Sequence, residues 1–241
     1  MIESTKAIVL HQIRYSDSSI IIRLFTSKFG RISCMVRGMG NRKAGRNKVL
    51  FQPMSVLDLS LSYRESREIQ TITDFSPSYS PAAIWSDIRK CTVAIFLGEV
   101  LTSVLREESP NEPLFRFIED SVRYFDKCGE GSANFHLAFM ARLTGFLGFE
   151  PSGEVFTGAK YFDMLNGQFV NHPPAHRHFA NPEISGVLSE LFTSSPEEAN
   201  KIALKGSVRN AILDTLVNYF SLHLPGIKKI KSLEVLRQVY I

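Results

Sequence analysis

Apolar and polar side chains alternate in several short segments of the first 75 residues. The clearest case is residues 31–37, where Ile32, Cys34 and Val36 share one face and the residues between them occupy the other. A period of two indicates a half-buried strand. Similar strands are predicted at residues 6–15, 19–26, 49–63 and 68–74.

Short turns join these predicted strands, among them a polar turn at residues 15–18 and a glycine turn at Gly30. Parallel strands need long crossover connections, so short turns indicate antiparallel pairing. A small closed barrel removes the exposed edges of such a sheet. The pattern therefore predicts a five-stranded barrel of the oligonucleotide/oligosaccharide-binding class, the OB-fold, over residues 1–78.

The pattern changes after residue 75. A run rich in serine and proline at residues 75–81 is typical of a linker, and beyond it apolar residues recur every three or four positions. Helices are predicted at residues 82–108, 113–127, 134–149, 181–192, 206–222 and 233–239. Their aromatic stripes favour the core of a helix bundle over a cofactor pocket, so no cofactor is expected. The expected fold class is α+β, with a helical domain at residues 79–241 after the barrel.

Composition and charge narrow the function classes. Of 241 residues, 44% are apolar and 22% charged, which is typical of a folded globular protein. Residues 1–80 contain 12 Lys and Arg against 6 Asp and Glu, whereas the remaining residues contain 16 against 18. A basic first third indicates that nucleic acid, if bound, contacts the barrel.

The cysteines and the N-terminus bear on the compartment. Cys34, Cys91 and Cys128 form no CxxC pair and lie in apolar or helical patterns, so we expect reduced core or near-core residues. The N-terminus lacks the basic start and long apolar run of a signal peptide, and no apolar run reaches the ~18 residues of a membrane span. These features predict a cytoplasmic protein.

A basic loop follows the strand at residues 31–37. The loop contains no acidic residue and, apart from Met39, no large apolar one, so it is expected to project into solvent. Such a cluster is either a solvated hairpin tip or a site for a polyanion, and the charge of the N-terminal region favours the second interpretation. The residues predicted to contact phosphates are Arg37, Arg42, Lys43, Arg46 and Lys48, with Arg14, Arg23 and Arg31 as extensions.

Aromatic rings at predicted strand ends are candidates for stacking on bases. They are Tyr15, Phe29 and Tyr63. The alternative, that these rings pack in the barrel or against the helical domain, is left open.

The segment at residues 150–179 interrupts the helical pattern. Residues 154–157 and 167–170 are predicted to form a small hairpin, followed by a proline-containing loop with His172, His176 and His178. Imidazoles are good metal ligands, but the spacing fits no standard zinc signature and the segment has no cysteine, so no structural zinc is expected. No Ser-His-Asp, GxxxxGK[ST] or HExxH pattern appears, so a catalytic interpretation has no starting point.

These elements resemble the RecO family of bacterial recombination mediators over nearly the whole chain. The matching motifs are Tyr15, Thr26, Gly30, Arg37-Gly38, the basic loop to Lys48, Phe51-Gln-Pro53, LTGFLGFEP at residues 143–151 and KSLEVL at residues 231–236. One departure concerns the segment after residue 151. Many members of the family carry a four-cysteine zinc-binding insertion there, and this chain has no cysteine in it, so the hairpin is expected to form without zinc.

The resemblance implies a non-enzymatic DNA-repair and recombination protein of the DNA damage response in the bacterial cytoplasm, associated with the nucleoid. It would bind single- and double-stranded DNA, anneal complementary strands, bind the C-terminal tail of the single-strand-binding protein SSB, and join RecR in loading the recombinase. An acidic tail with a hydrophobic end needs an apolar pocket with a basic rim, which favours the helical domain. The candidates there are Arg142, Arg116 and Arg123.

Two alternatives come from other function classes. An RNA-binding OB-fold factor shares the same backbone electrostatics, so sequence distinguishes it poorly from a DNA-binding protein. A metal-dependent nuclease would use Asp58 or Asp74 with the histidines, but no carboxylates cluster in sequence near the basic loop.

Overall fold

The computed structural model describes residues 2–38, 49–105, 109–129, 132–152, 160–227 and 229–239. The chain divides into two compact units. The first extends to Lys127 and includes Ile230–Leu236, and the second comprises Cys128–Lys229 and the residues from Arg237 onward. The proposed domain boundary between residues 78 and 79 stays a prediction.

The first unit begins with a closed barrel whose strands follow the order β1-β2-β3-β5-β4. The strands are β1 (Ile2–Ser16), β2 (Ser19–Thr26), β3 (Gly30–Arg37), β4 (Val56–Ser62) and β5 (Ile69–Tyr79). Neighbouring strands pair antiparallel except β3 and β5, which are parallel. The closed five-stranded barrel, followed by a helical region, confirms the predicted α+β fold class.

Alternation along the strands fills the barrel interior. Every second residue of β3 is buried, including the three apolar residues predicted to share a face. At the β2–β3 turn, the Thr26 hydroxyl donates to the Gly30 carbonyl at 3.0 Å and accepts from the Phe29 N–H at 2.9 Å. Gly30 has a φ of 63°, and a Cβ there would lie 2.3 Å from the Ser109 carbonyl oxygen, so this turn requires glycine.

Three strand boundaries differ from the predictions. β1 begins at Ile2, four residues before the predicted start. The predicted strand at residues 49–63 begins only at Val56, because residues 49–54 form a helical turn and bends in which Met54 has a φ of 69°. The predicted linker at residues 75–81 was wrong for its first five residues, since β5 continues to Tyr79. There Phe75 and Pro77 pair with Leu59 and Leu57 of β4, so strand pairing continues through the serine and proline run although burial no longer alternates.

The helices agree with the predicted pattern, except for one break at Asp87 and the short α6, which was not predicted. They are α1 (Ala82–Ser86), α2 (Ile88–Val104), α3 (Glu112–Lys127), α4 (Phe135–Phe146), α5 (Pro182–Thr193), α6 (Pro196–Ala199), α7 (Gly206–His223) and α8 (Ser232–Val239). The helix predicted from residue 82 is interrupted at Asp87, whose carboxylate accepts from the N–H groups of Arg89 and Lys90 and so begins α2. None of the described helices combines the length and apolar composition that a membrane span needs.

The second unit packs α4 to α7 beside a small sheet with the strand order β7-β6-β8. The strands are β6 (Tyr161–Asp163), β7 (Gln168–Val170) and β8 (Phe179–Ala180). The predicted hairpin partner at residues 154–157 lies outside the described residues. Instead β7 pairs with β6, which sequence reasoning placed in the connection, because the turn at Asn166-Gly167 reverses the chain within four residues.

A buried polar network supports the core of the second unit. The Asn134 side-chain amide donates to the carbonyls of Ala199 and Ile202 at 3.1 and 2.8 Å, and its oxygen accepts from the Arg209 Nε at 3.0 Å. His136, the second residue of α4, is also buried. The Asn134 side chain depends on these three contacts, because an unpaired buried polar group is costly.

Candidate nucleic-acid interface

Strand register places the outward side chains of β1, β2, β3 and β5 in rows on one face. One row contains His11, Arg23, Ser33 and Ile69, since each of these residues is the cross-strand partner of the next. The next row toward the β1–β2 turn contains Ile13, Ile21, Met35 and Thr71. Partners in register project on the same side of a sheet, so an apolar row adjoins a row with a basic residue.

Basic side chains lie on both sides of the apolar row. Arg23 and Arg31 are half-buried, and Arg37 is exposed opposite Ser19. Within the described part of the chain, none of these three guanidinium groups forms an ion pair. Arg14 differs, because its guanidinium contacts the Asp17 carboxylate at 2.7 Å. The register thus groups Arg23, Arg31 and Arg37 on one face.

The other predicted phosphate contacts are Arg42, Lys43, Arg46 and Lys48, and they lie outside the described residues. The strand that enters this basic loop ends at Arg37, and Gly38 follows with a φ of 79°. The loop therefore begins at the same end of the barrel as the β1–β2 turn, where Ser19 pairs with Arg37.

The β4–β5 loop contributes a second basic pair, Arg64 and Arg67, that sequence reasoning missed. The buried Gln70 side chain accepts from the Arg64 N–H at 2.9 Å and donates to the carbonyls of Arg64 and Arg67 at 2.9 and 2.6 Å. A cavity of about 160 Å³ beside this loop is lined by Arg31, Tyr63 and Arg67, among others. The two arginines of this short turn could have indicated a basic site in the sequence. Glu65 and Glu68 in the same turn balance their charge, so no basic cluster was recognised.

The three candidate aromatic residues have different environments. The rings of Phe29 and Tyr63 stack on each other with centroids 4.1 Å apart, and both pack against the barrel core. Tyr15, at the β1–β2 turn, is 64% exposed. Stacking on a base remains a prediction, and of the three rings Tyr15 is the most accessible to a base.

The arginines predicted to bind a partner also differ in their contacts. Arg116 contacts Glu112 at 2.8 Å, and Arg123 contacts Glu119 at 2.7 Å while lying over the Tyr79 ring. In contrast, Arg142 is exposed on α4 and forms no ion pair with a described residue. Phe146, one helical turn beyond Arg142, is 37% exposed, so a cation and an aromatic ring share one side of α4.

Comparisons with known proteins bear on these two regions. A family model described as "Recombination protein O N terminal" matches residues 1–80, and one described as "Recombination protein O C terminal" matches residues 85–234. The chain belongs to the RecO family. Relatives named "DNA repair protein RecO" from Phocaeicola vulgatus and Bacteroides fragilis are each 35% identical, with both chains covered completely. A relative of the same name from Flavobacterium psychrophilum is 32% identical over 98% of both chains.

The histidine segment of this RecO chain has a hydrogen-bonded carboxylate at its centre. The buried Asp163 accepts from the N–H groups of Leu165 and Asn166, and His176 Nε2 lies 3.3 Å from its Oδ1. Burial alone raises the pKa of the Asp163 carboxyl, but the hydrogen bonds outweigh it and hold the pKa below its ordinary value. His172 is exposed, and no group of three metal-binding side chains occurs among the described residues.

The two aspartates considered for a nuclease lie elsewhere on the barrel. Asp58 and Asp74 line a cavity of about 460 Å³ on β1, β4 and β5, together with Ser60, Ser76 and Lys6. Asp58 faces Lys6 in register, and Asp74 faces Ser60. The cavity is lined mainly by hydroxyl groups, with one lysine beside the two carboxylates.

Proposed function

We propose that the protein binds DNA on the outer face of β1, β2 and β3 and acts in DNA repair. The observation that carries this proposal is the arrangement of Arg23 and Arg37, on either side of the apolar row of Ile13, Ile21 and Met35. Family membership supports the choice of DNA, because the relatives carry the name of a DNA repair protein.

The spacing of the two arginines suits a nucleic-acid strand. Arg37 is four residues beyond Ser33, the partner of Arg23, so the two side chains start about 13 Å apart along the strands. They can therefore contact different phosphates of one strand. The apolar row between them offers a surface for base edges or sugars, and Tyr15 offers a ring at one end.

The same surface offers a physical basis for the strand annealing that we propose. Complementary strands repel each other through their phosphates, and a basic surface that holds both lowers this barrier. We propose that the protein anneals DNA and helps a recombinase to load on single strands coated by SSB, together with RecR. This step rests on the RecO family resemblance.

For the SSB tail, the exposed side of α4 is our proposed contact. Arg142 can pair with an acidic group of the tail, while the neighbouring Phe146 offers apolar contact to a terminal hydrophobic residue. Arg116 and Arg123 are less available, because each already contacts a glutamate.

A salt titration tests the DNA-binding proposal. Binding of labelled single strands, duplex and RNA to the full chain is measured by anisotropy, and annealing is followed in the same samples. Each phosphate contact contributes about −0.7 to the slope of log K against log salt for single strands. Replacing both Arg23 and Arg37 by Ala should flatten the slope by about 1.4 and slow annealing. The triple replacement of Arg42, Lys43 and Arg46 by Ala should flatten it by about 2.

The controls separate this proposal from its alternatives. Lys127→Ala removes one exposed positive charge at the end of α3 and should leave the slope unchanged. If the double variant keeps its circular dichroism spectrum and binds with the wild-type slope, the nucleic acid lies on another surface. Tighter binding to RNA than to DNA of the same sequence would favour the RNA-binding alternative.

The SSB contact has a separate test. A labelled peptide with an acidic stretch and a terminal phenylalanine should bind the full chain, and Arg142→Ala should weaken this binding several-fold. Arg116→Ala is the matched control, since that arginine is paired with Glu112. Equal binding by wild type and Arg142→Ala would place the tail elsewhere.

A further inference from the structure

A close contact between α2 and the barrel brings a carboxylate next to the arginine-bearing face. A Cβ on Gly98 would lie 2.6 Å from the Leu10 carbonyl oxygen and 2.9 Å from Pro53 Cβ, so α2 touches β1 at this point. The next residues on the two elements are Glu99 and His11. His11 is the β1 partner of Arg23, so Glu99 lies beside the row that contains Arg23.

Glu99 binds the start of α8. Its carboxylate accepts from the N–H groups of Lys231 and Ser232 at 2.8 and 2.9 Å and from the Ser232 hydroxyl at 2.5 Å. The first N–H groups of a helix have no partner within the helix, and a carboxylate satisfies them well. Burial alone raises the pKa of the Glu99 carboxyl, but these hydrogen bonds outweigh it and lower the pKa below its ordinary value. Glu99 is therefore a charged anchor for residues 231 and 232.

The electrostatics of His11 agree with this proximity. Burial lowers the pKa of His11, the positive charge of Arg23 lowers it further, and the negative charge of Glu99 opposes both. Arg23 and Glu99 thus both act on His11 within the first unit. Lys231 is held at this place through its backbone N–H, which donates to Glu99, while the residue itself is exposed.

We propose that the nucleic-acid face of the barrel continues onto the start of α8, where Lys231 contacts phosphate and Glu99 is the residue that positions it. This inference rests on the DNA-binding function proposed above. The charge of Glu99 is met by three donors at the helix start, so it does not face a phosphate alone, and the exposed Lys231 adds a cation at the residue whose N–H Glu99 binds. The partner is the sugar-phosphate backbone, because an exposed lysine acts as a point charge without base specificity.

Three single variants of the full chain test the inference: Lys231→Ala, the control Lys127→Ala, and Arg23→Ala. Lys231→Ala should flatten the salt slope for single strands by about 0.7 and weaken binding about fivefold at 0.1 M salt. Lys127→Ala, which also removes one exposed lysine of the first unit, should have no effect. Lys231→Ala keeps the backbone N–H that Glu99 binds, so the fold is expected to survive, and circular dichroism checks this.

The variant Arg23→Ala makes the possible failures distinguishable. If Arg23→Ala weakens binding while Lys231→Ala does not, the inference about α8 is wrong and the barrel face stands. If neither variant changes binding, the proposed face and its extension are both wrong. Equal weakening by Lys231→Ala and Lys127→Ala would indicate a general effect of net charge and would also overturn the inference.

Two further measurements address position directly. In wild-type protein, an excess of single-stranded DNA should protect Lys231, but not Lys127, from an amine-specific reagent read by mass spectrometry. In a double-mutant cycle, Glu99→Ala should remove the anchor, so that Lys231→Ala costs less than twofold in that background. An undiminished fivefold cost would show that Glu99 does not position Lys231, and unprotected Lys231 would contradict the phosphate contact.

Discussion

The buried histidine of α4 predicts an acid-sensitive fold. His136 is fully buried, and burial, with the nearby positive charge of Arg209 adding to it, lowers the pKa of His136 to about 3. In the unfolded chain the ordinary value of about 6.5 applies. Between these values the unfolded state binds the proton and the folded state does not, so stability falls as the pH falls from about 6.5 to about 3.

The size of the effect follows from the same two pKa values. Each pH unit inside this window changes the free energy of unfolding by about 1.4 kcal/mol. From pH 7 to pH 5 the window spans roughly 1.5 units, so protonation of His136 in the unfolded chain removes about 2 kcal/mol. That loss is a large part of the total stability of a typical domain.

Urea unfolding followed by circular dichroism at pH 7 and pH 5 measures the effect. We expect wild type to lose about 2 kcal/mol more between these pH values than His136→Gln, which has no titrating ring. His11 and the carboxyl groups contribute equally to both proteins and cancel in the difference. His172→Gln, in an exposed loop, should behave as wild type. An equal pH dependence for wild type and His136→Gln would refute a buried neutral histidine.

Four shorter predictions concern the packing and the metal content. Gly98→Ala should destabilise the protein by about 1–3 kcal/mol in urea unfolding, because the added Cβ would lie 2.6 Å from the Leu10 carbonyl oxygen. The control Gly186→Ala in α5, where the added Cβ has open space around it, should be neutral or stabilising. Gln70→Ala should speed amide exchange in the β4–β5 loop and cost about 1–3 kcal/mol, and unchanged exchange would mean that the loop does not depend on its three hydrogen bonds. Burial raises the pKa of Cys34 to about 12, so a thiol reagent at pH 8 should modify it only after unfolding. Tag-free protein treated with a chelator should contain no stoichiometric zinc by elemental analysis.

Local pattern in the sequence was enough for the five barrel strands and for the long helices, but not for the small sheet of the second unit or for α6. A period of two marked the barrel strands and a spacing of three or four marked the helices, because each pattern follows from the geometry of one element and the burial of one of its faces. The same information identified Cys34 as a core residue and the RecO resemblance. Boundaries failed where local signals conflict, as at Pro77, which sequence reasoning assigned to a linker and the structure includes in β5.

The candidate interface depended on tertiary structure for most of its geometry. The sequence identified Arg23 and Arg37 as basic residues, but only the register of β1, β2 and β3 places the apolar row between them. Register is a property of paired strands, and a shift of one residue would turn every side chain to the other face.

The contact of Glu99 with Ser232 joins residues 133 positions apart. Neither residue's local sequence points to the other, because a helix carboxylate and a helix-start serine are both common. Their meeting depends on the packing of the start of α8 against α2. The amino-acid sequence by itself therefore determined the barrel strands and the long helices. Tertiary packing decided which charges share a surface, since hydrogen bonds and ion pairs act only between groups that the fold has brought within a few ångströms.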